Sequence, residues 1–378
     1  MAENQAAWLT EAEAYPFAVN DAPKPIPGPG EIVIKNAAVA INPVDWKIQF
    51  VYLPQLFQKN TNLYRTHGRY LNTYPFILGE DVAGVVEAVG SGVTRFIKGQ
   101  RVIAHCHGLV TRNPANSSFQ LYPVVTEALA APIPDSLSFE QAVVLPLAIS
   151  TASAGLFQKE YLNLPLPSSS KTEPTGQTIL IWGGASSVGA TAIQLAAASG
   201  LTVVTTASEA NHEFVKSLGA DLVFDYRSPT VVQDIANAIE GSEFVGIYDA
   251  ISEDNSFAPL AALVEKLNIS VPVASVLPYD KPTETFAPKF GKILSAPRFL
   301  FVAILMLSRI VLAYSIIQEP NQHVGEWIWG KFVPEALANG KLQAKPDALV
   351  VGTGLGYIQN ALDIQKKGVS AKKVVVSI

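Results

Sequence analysis

The chain has 378 residues, of which 49% are hydrophobic and 16% charged, and its formal net charge is −5. This composition excludes a disordered chain, gives room for two domains with a sizeable core, and points away from nucleic acid as a partner. The single cysteine, Cys106, excludes internal disulfides and a cysteine-rich zinc lobe.

The first ten residues carry no basic stretch followed by an apolar run, so no signal peptide is expected and the expected location is cytoplasmic. Residues 1–147 read as mostly β. Strand-like runs at 31–41, 82–90 and 101–106 are separated by proline and glycine punctuation such as PKPIPGPG at 23–30. The pattern suits a small barrel-type domain. After the first of these runs comes INPVDWK (41–47), where Asn42 and Asp45 suit an Asx-type turn with Lys47 in solvent. His105 and His107 share one face of a strand, with Cys106 on the other. Two histidines make half a metal site and no third ligand is apparent, so no metal is expected.

From about 147 to 278, strands alternate with amphipathic stretches, the pattern of parallel βαβ units. The most informative segment is 178–200, TILIWGGASSVGATAIQLAAASG. A β-branched strand runs into Gly183 and Gly184, then Ser186, Ser187, Val188 and Gly189 open a helix with apolar residues at helical spacing. Glycines let the backbone approach a pyrophosphate, and the helix N-terminus presents N–H groups to it. The next strand, LTVVTTAS (201–208), ends without the acid that bonds a ribose 2′-hydroxyl in NAD-binding folds. Ser208, Asn211 and Tyr226, with Arg227 beside it, are donors suited to a 2′-phosphate, so the expected cofactor is NADP(H). Glu209 opposes this unless it faces solvent.

Segment 299–317 is apolar except for Ser308, Arg309, Tyr314 and Ser315. It is long enough to span a bilayer, but Arg309 near its middle costs about 2.5–3.5 kcal/mol there, so a buried or interfacial helix is the favoured reading over a membrane contact. Residues 319–378 return to a mixture of strand and helix: ALVVG, YIQNALDIQKKG, then AKKVVVSI.

Several motifs in combination carry a family resemblance. PFILGEDVAGVVEAVGSGV (75–93), GQRV (99–102), LPLAISTA (145–152), KSLGADLVFDY (216–226) and the ending KKGVSAKKVVV resemble the medium-chain dehydrogenase/reductase superfamily over nearly the whole chain. Within it the chain is similar to the zinc-free quinone oxidoreductase and trans-acting enoyl reductase branch, and to fungal zinc-binding-dehydrogenase-domain proteins of the concanamycin-induced protein B type. The resemblance implies an α/β chain: a GroES-like β-rich catalytic domain at 1–147, a Rossmann doubly wound parallel sheet at 148–318, and a return to the catalytic domain at 319–378. Zinc enzymes of the family carry a cysteine where this chain has Asn42 and a histidine where it has Glu80. Two further departures are the stretches 50–73 and 299–317, where relatives are shorter; true insertions and translated introns both remain open.

The implied chemistry is hydride transfer to an electron-poor C=C bond of an enone, quinone or enoyl thioester. The resemblance places the Asn42–Asp45–Lys47 turn beside the nicotinamide. There Asn42 would donate to an oxygen, Lys47 would polarise a carbonyl or relay a proton, and Asp45 would hold Lys47. Thr151 would contact the carboxamide. The partner expected is a small-molecule substrate, with the chain as monomer or homodimer. Alternatives are carbonyl–alcohol interconversion and a cofactor-binding scaffold without turnover that docks a partner or membrane.

Overall fold

The computed structural model describes residues 3–50, 71, 73–276 and 308–378. The chain divides into two compact units, 1–150 with 325–378, and 151–324. In the first unit, β1 (Asn4–Leu9) pairs antiparallel with β2 (Ala18–Ala22) and with β4 (Phe76–Ile77). β3 (Glu31–Ala40), β5 (Asp81–Val89) and β6 (Arg101–His105) form an antiparallel run, extended by β8 (Ala130–Pro132), with β7 (Val124–Thr126) also on β3. Alternating apolar residues drive this: Ile32, Ile34, Val82, Val86, Val102 and Ala104 share one buried cluster.

The second unit is a six-stranded parallel sheet. Its strands are β9 (Gln177–Trp182), β10 (Thr202–Thr206), β11 (Leu222–Phe224), β12 (Glu243–Asp249), β13 (Val273–Ser275) and β14 (Ser308–Ile310), in the order β11-β10-β9-β12-β13-β14. Counted within the unit that is 3-2-1-4-5-6, the doubly wound nucleotide-binding order. β9 is buried along nearly its whole length, as a central parallel strand must be. Leu180, Val204 and Ile247 from the sheet pack with Ile235, Leu260 and Leu263 from helices Val231–Ile239 and Asp254–Leu267.

The chain then returns to the first unit. β15 (Asp347–Thr353) and β16 (Lys372–Ser377) pair in parallel, and β16 lies antiparallel to β3. Helix Ile358–Lys367 brings Ile358 and Leu362 against Val374 and Val376 in the same cluster as Ala6 and Leu9.

Segment 299–317 needs a correction where it is described. Residues 308–310 are not helical; they are the strand β14, parallel to β13 with Val273 opposite Ser308, and Ala313–Ile317 is a short 3-10 turn. Strand pairing satisfies the backbone there, and hydropathy alone does not distinguish a strand from a helix. Residues 299–307 of that segment, and residues 51–70 and 72 of the other unusual stretch, lie outside the described residues.

Candidate active site and cofactor site

In the first unit, three neighbouring strands converge. β3 ends at Ala40 opposite Asp81, where β5 begins, and Asp81 stands opposite His105, where β6 ends. Ile41 N donates to Val374 O, which brings Lys373 to the same place. The result is a buried polar cluster. Asn42 Nδ2 donates to Asp81 Oδ2 at 2.8 Å, Lys373 Nζ donates to Asn42 Oδ1, and Lys373 Nζ lies 3.2 Å from Asp81 Oδ2. Leu147 N donates to Asp81 Oδ1 at 2.6 Å. Asn42, Asp81 and Lys373 are all buried.

Pro43 opens the helix Pro43–Phe50, and Asp45, three residues after Asn42, accepts from the Asn42 backbone N–H at 2.8 Å. This is the returning half of a capping box. Burial, aided by the nearby Glu80 and Asp81 charges, pushes the Asp45 carboxyl well above its usual range, despite the Asn42 amide that favours the anion. Asp45 Oδ1 has no hydrogen-bond partner among the described residues. Asp45 therefore does not hold Lys47, which corrects the expected pairing. Lys47 is half-buried, with its ammonium 5.6 Å from the centre of the Trp46 ring. The cation that faces the buried carboxylates is Lys373, which sequence reasoning missed. It lies within the AKKVVVSI ending, but 331 residues from Asn42.

A second set of side chains adjoins this cluster. His105 Nε2 lies 3.0 Å from Glu80 Oε2 and His105 Nδ1 lies 3.0 Å from Ser150 Oγ, to which Trp329 Nε1 donates at 3.1 Å. Both imidazole nitrogens are thus engaged. His107 is held neutral, with its pKa lowered to about 4 by burial and by His105. Burial, with Glu80 and Asp81 nearby, raises the Cys106 thiol well above its usual range, so it stays protonated.

In the second unit the glycine turn sits at the carboxyl end of β9. Gly183 adopts φ +83°, and its N–H donates to Thr206 Oγ1 at 2.9 Å. Ser186 caps helix Ser187–Ala198 by accepting from Gly189 N at 3.0 Å. A Cβ on Gly189 would meet Gly183 O at 2.2 Å, so the turn closes on the helix only with glycine there. The amides of Ser187 and Val188 precede the first bond within the helix, from Ala190 N to Ser186 O, and form its positive end. Gly184 N bonds Thr206 O, tying the turn to β10.

At the end of β10, Ala207 N donates to Phe224 O, which sets Ser208 beside the end of β11. Asn211 Nδ2 donates to Ser208 Oγ at 2.9 Å. Tyr226 is exposed, with the Arg227 guanidinium 5.3 Å from its ring centre. Glu209 is exposed. Thr151 is buried, and its carbonyl accepts from Tyr248 Oη at 3.0 Å. Asp249 accepts from the Ile251 and Ser252 amides and from Ser256 Oγ, the role of a turn cap.

A doubly wound sheet with a glycine turn at its central strand, and a separate β-rich unit with a buried polar cluster, define a two-part nucleotide-dependent oxidoreductase. The chain matches the alcohol dehydrogenase GroES-like domain over residues 28–135 and the zinc-binding dehydrogenase family over 187–283. It is 42% identical to "Trans-enoyl reductase himH" of Aspergillus japonicus, over 99% of this chain and 97% of that protein. It is 38% identical to "Zinc-binding alcohol dehydrogenase domain-containing protein cipB" of Emericella nidulans, over 99% and 98%. Among solved structures it superposes on an alcohol dehydrogenase superfamily protein from Novosphingobium aromaticivorans with a TM-score of 0.70 at 26% identity, covering 99% of each chain. The chain belongs to the medium-chain dehydrogenase/reductase superfamily, whose cofactor domain takes a nicotinamide dinucleotide.

Zinc, which that family's description implies, does not fit the residues present. A lysine ammonium already neutralises the buried carboxylate, and both nitrogens of His105 are bonded. Among the described residues no group of three or more His, Cys, Asp or Glu side chains could hold a metal. The dinucleotide does fit: the turn at Gly183, Gly184 and Gly189 and the helix end behind it form a phosphate cradle.

Proposed function

We propose that the chain is an NADPH-dependent, zinc-free reductase of activated C=C bonds in a small molecule: an enone, a quinone or an enoyl thioester. The observation that carries this is the buried Asn42–Asp81–Lys373 network. It supplies its own cation where a metal-dependent alcohol dehydrogenase needs a ligand set. Whole-length similarity to a protein named a trans-enoyl reductase supports the choice of C=C over carbonyl reduction.

Bound NADPH supplies the hydride. The residues of the chain bind and orient. Gly183, Gly184, Ser186, Ser187, Val188 and Gly189 take the pyrophosphate, Ser208, Asn211 and Tyr226 the 2′-phosphate, and Thr151 the carboxamide. Exposure of Glu209 removes the charge conflict at the 2′-phosphate corner. In the first unit, Asn42 and Asp45 fix the turn, and Lys47 polarises the substrate carbonyl as charge develops on its oxygen.

The test is NADPH and NADH oxidation with a panel of an enone, a quinone, an enoyl thioester, an aldehyde and an alcohol, before and after chelation. NADPH-dependent turnover of the first three, unaffected by chelator and free of stoichiometric zinc, is the expected result. Turnover of aldehyde or alcohol alone, or one zinc per chain lost together with activity, overturns it. Tight NADPH binding with no turnover points to a scaffold.

A further inference from the structure

The bonds from Trp329 to Glu80 form one directed chain. An indole N–H only donates and a carboxylate only accepts. Ser150 Oγ therefore accepts from Trp329, and its own proton is left for His105 Nδ1. With Nδ1 accepting, the imidazole proton is assigned to Nε2, facing Glu80 Oε2. A Ser150 hydroxyl that donates to Nδ1 and a Glu80 oxygen that accepts from Nε2–H suit the same tautomer of His105.

That far end is built to stay in place. Trp329 lies in a turn of π-helix, Ile328–Phe332, and its carbonyl accepts from Arg95 Nη2 at 2.7 Å. Arg95 also bonds the carbonyls of Glu127 and Ala130. Trp329 and Ser150 are wholly buried and His105 is 2% exposed, whereas the Glu80 side chain keeps 12% exposure. Glu80 Oε1 carries no hydrogen bond among the described residues, and Glu80 directly precedes Asp81 of the Asn42 cluster. The chain thus runs from a fixed buried donor to a carboxyl group with one open oxygen. The titratable and charged groups around the pair are Asp81 with Lys373, the buried Asp45 and Cys106, and His107.

We propose that Glu80 is the proton donor that completes C=C reduction, with His105, Ser150 and Trp329 as positioning residues behind it; this rests on the reductase reading above. The substrate β-carbon receives a hydride, with its electron pair, from NADPH, the C=C π pair shifts toward the carbonyl, and an enolate forms. The enolate then re-forms its carbonyl as its α-carbon takes the proton from the Glu80 carboxylic acid. Glu80 is left as a carboxylate, bonded by His105 Nε2–H, and regains a proton from water. General acids in such positions contribute about 10²–10⁴-fold.

The experiment uses the full chain, NADPH and 2-methylcyclohexenone in D2O. In the parent, deuterium enters the α-carbon from one face. Glu80→Gln keeps an acceptor for His105 Nε2–H but holds no transferable proton. It is expected to lower kcat about 100-fold with KM within about twofold, and to deuterate both faces. Trp329→Phe frees the Ser150 hydroxyl and is expected to lower kcat with KM within about twofold and with deuterium still entering from one face. Glu80→Gln with parental kcat and one-face deuteration overturns the proposal, as does an unchanged kcat in Trp329→Phe. If Glu80→Gln fails to bind NADPH, Glu80→Asp decides: one-face deuteration at lowered kcat supports the role, and unchanged kcat overturns it. A parent that reduces no enone or enoyl thioester overturns the reductase reading itself, and the proton donor with it.

Discussion

Removing the Lys373 ammonium probes the buried cluster directly. Lys373→Met keeps a flexible apolar stem but leaves Asp81, fully buried, with only the Asn42 and Leu147 N–H groups as partners. Breaking a buried ion pair by removing one partner costs about 3–5 kcal/mol. The two remaining donors still hold the carboxylate in part, which puts the loss near the lower end, ~3 kcal/mol. In a unit of about 200 residues that corresponds to a fall in the thermal midpoint of roughly 6–12 °C. Scanning calorimetry on parent, Lys373→Met, Asp81→Asn and the double variant measures it. The double variant, which leaves no unpaired charge, is expected to recover at least half of the loss. A Lys373→Met midpoint within about 2 °C of the parent would refute the view that this pair is an electrostatic unit.

Gly189→Ala drives a Cβ against the Gly183 carbonyl and displaces the phosphate turn. NADPH affinity, read by fluorescence titration, should fall at least tenfold, about 1.4 kcal/mol. Ser208→Glu restores an acid at the end of β10. NADPH should bind roughly tenfold more weakly while NADH is held at least as well, and an unchanged preference would remove Ser208 from the 2′-phosphate corner. Asp45 binds a proton more readily in the folded chain than in the unfolded one, so its contribution to stability is complete at low pH and is lost as pH rises from about 4 through its raised value. Asp45→Asn should flatten that decline in urea-unfolding midpoints measured against pH, and a parental slope in the variant would contradict it.

Local features were legible in the sequence because short-range geometry decides them. The strand, glycine turn and helix of 178–200 form over 23 consecutive residues, and the observed β9 and helix Ser187–Ala198 fall where periodicity and glycine placement put them. The same holds for β3, β5 and β6, each expected to within a residue or two. The Asn42 to Asp45 segment was expected as an Asx-type turn; the bond found is from the Asn42 backbone amide to Asp45 at the start of the helix Pro43–Phe50. What tertiary structure alone decided is which charge meets which. Asp45 was expected to hold Lys47, two positions on in the same helix, but residues so spaced do not face each other on a helix. Asp45 accepts from the Asn42 backbone amide instead, and the carboxylate that meets a lysine is Asp81, paired with Lys373 because β16 lies against β3. Ser150, His105, Glu80 and Trp329 come from four separate segments, and no local spacing marks them as partners. The strand at 308–310 likewise needed β13 beside it: hydropathy does not separate strand from helix, and the neighbour that pairs with the backbone does.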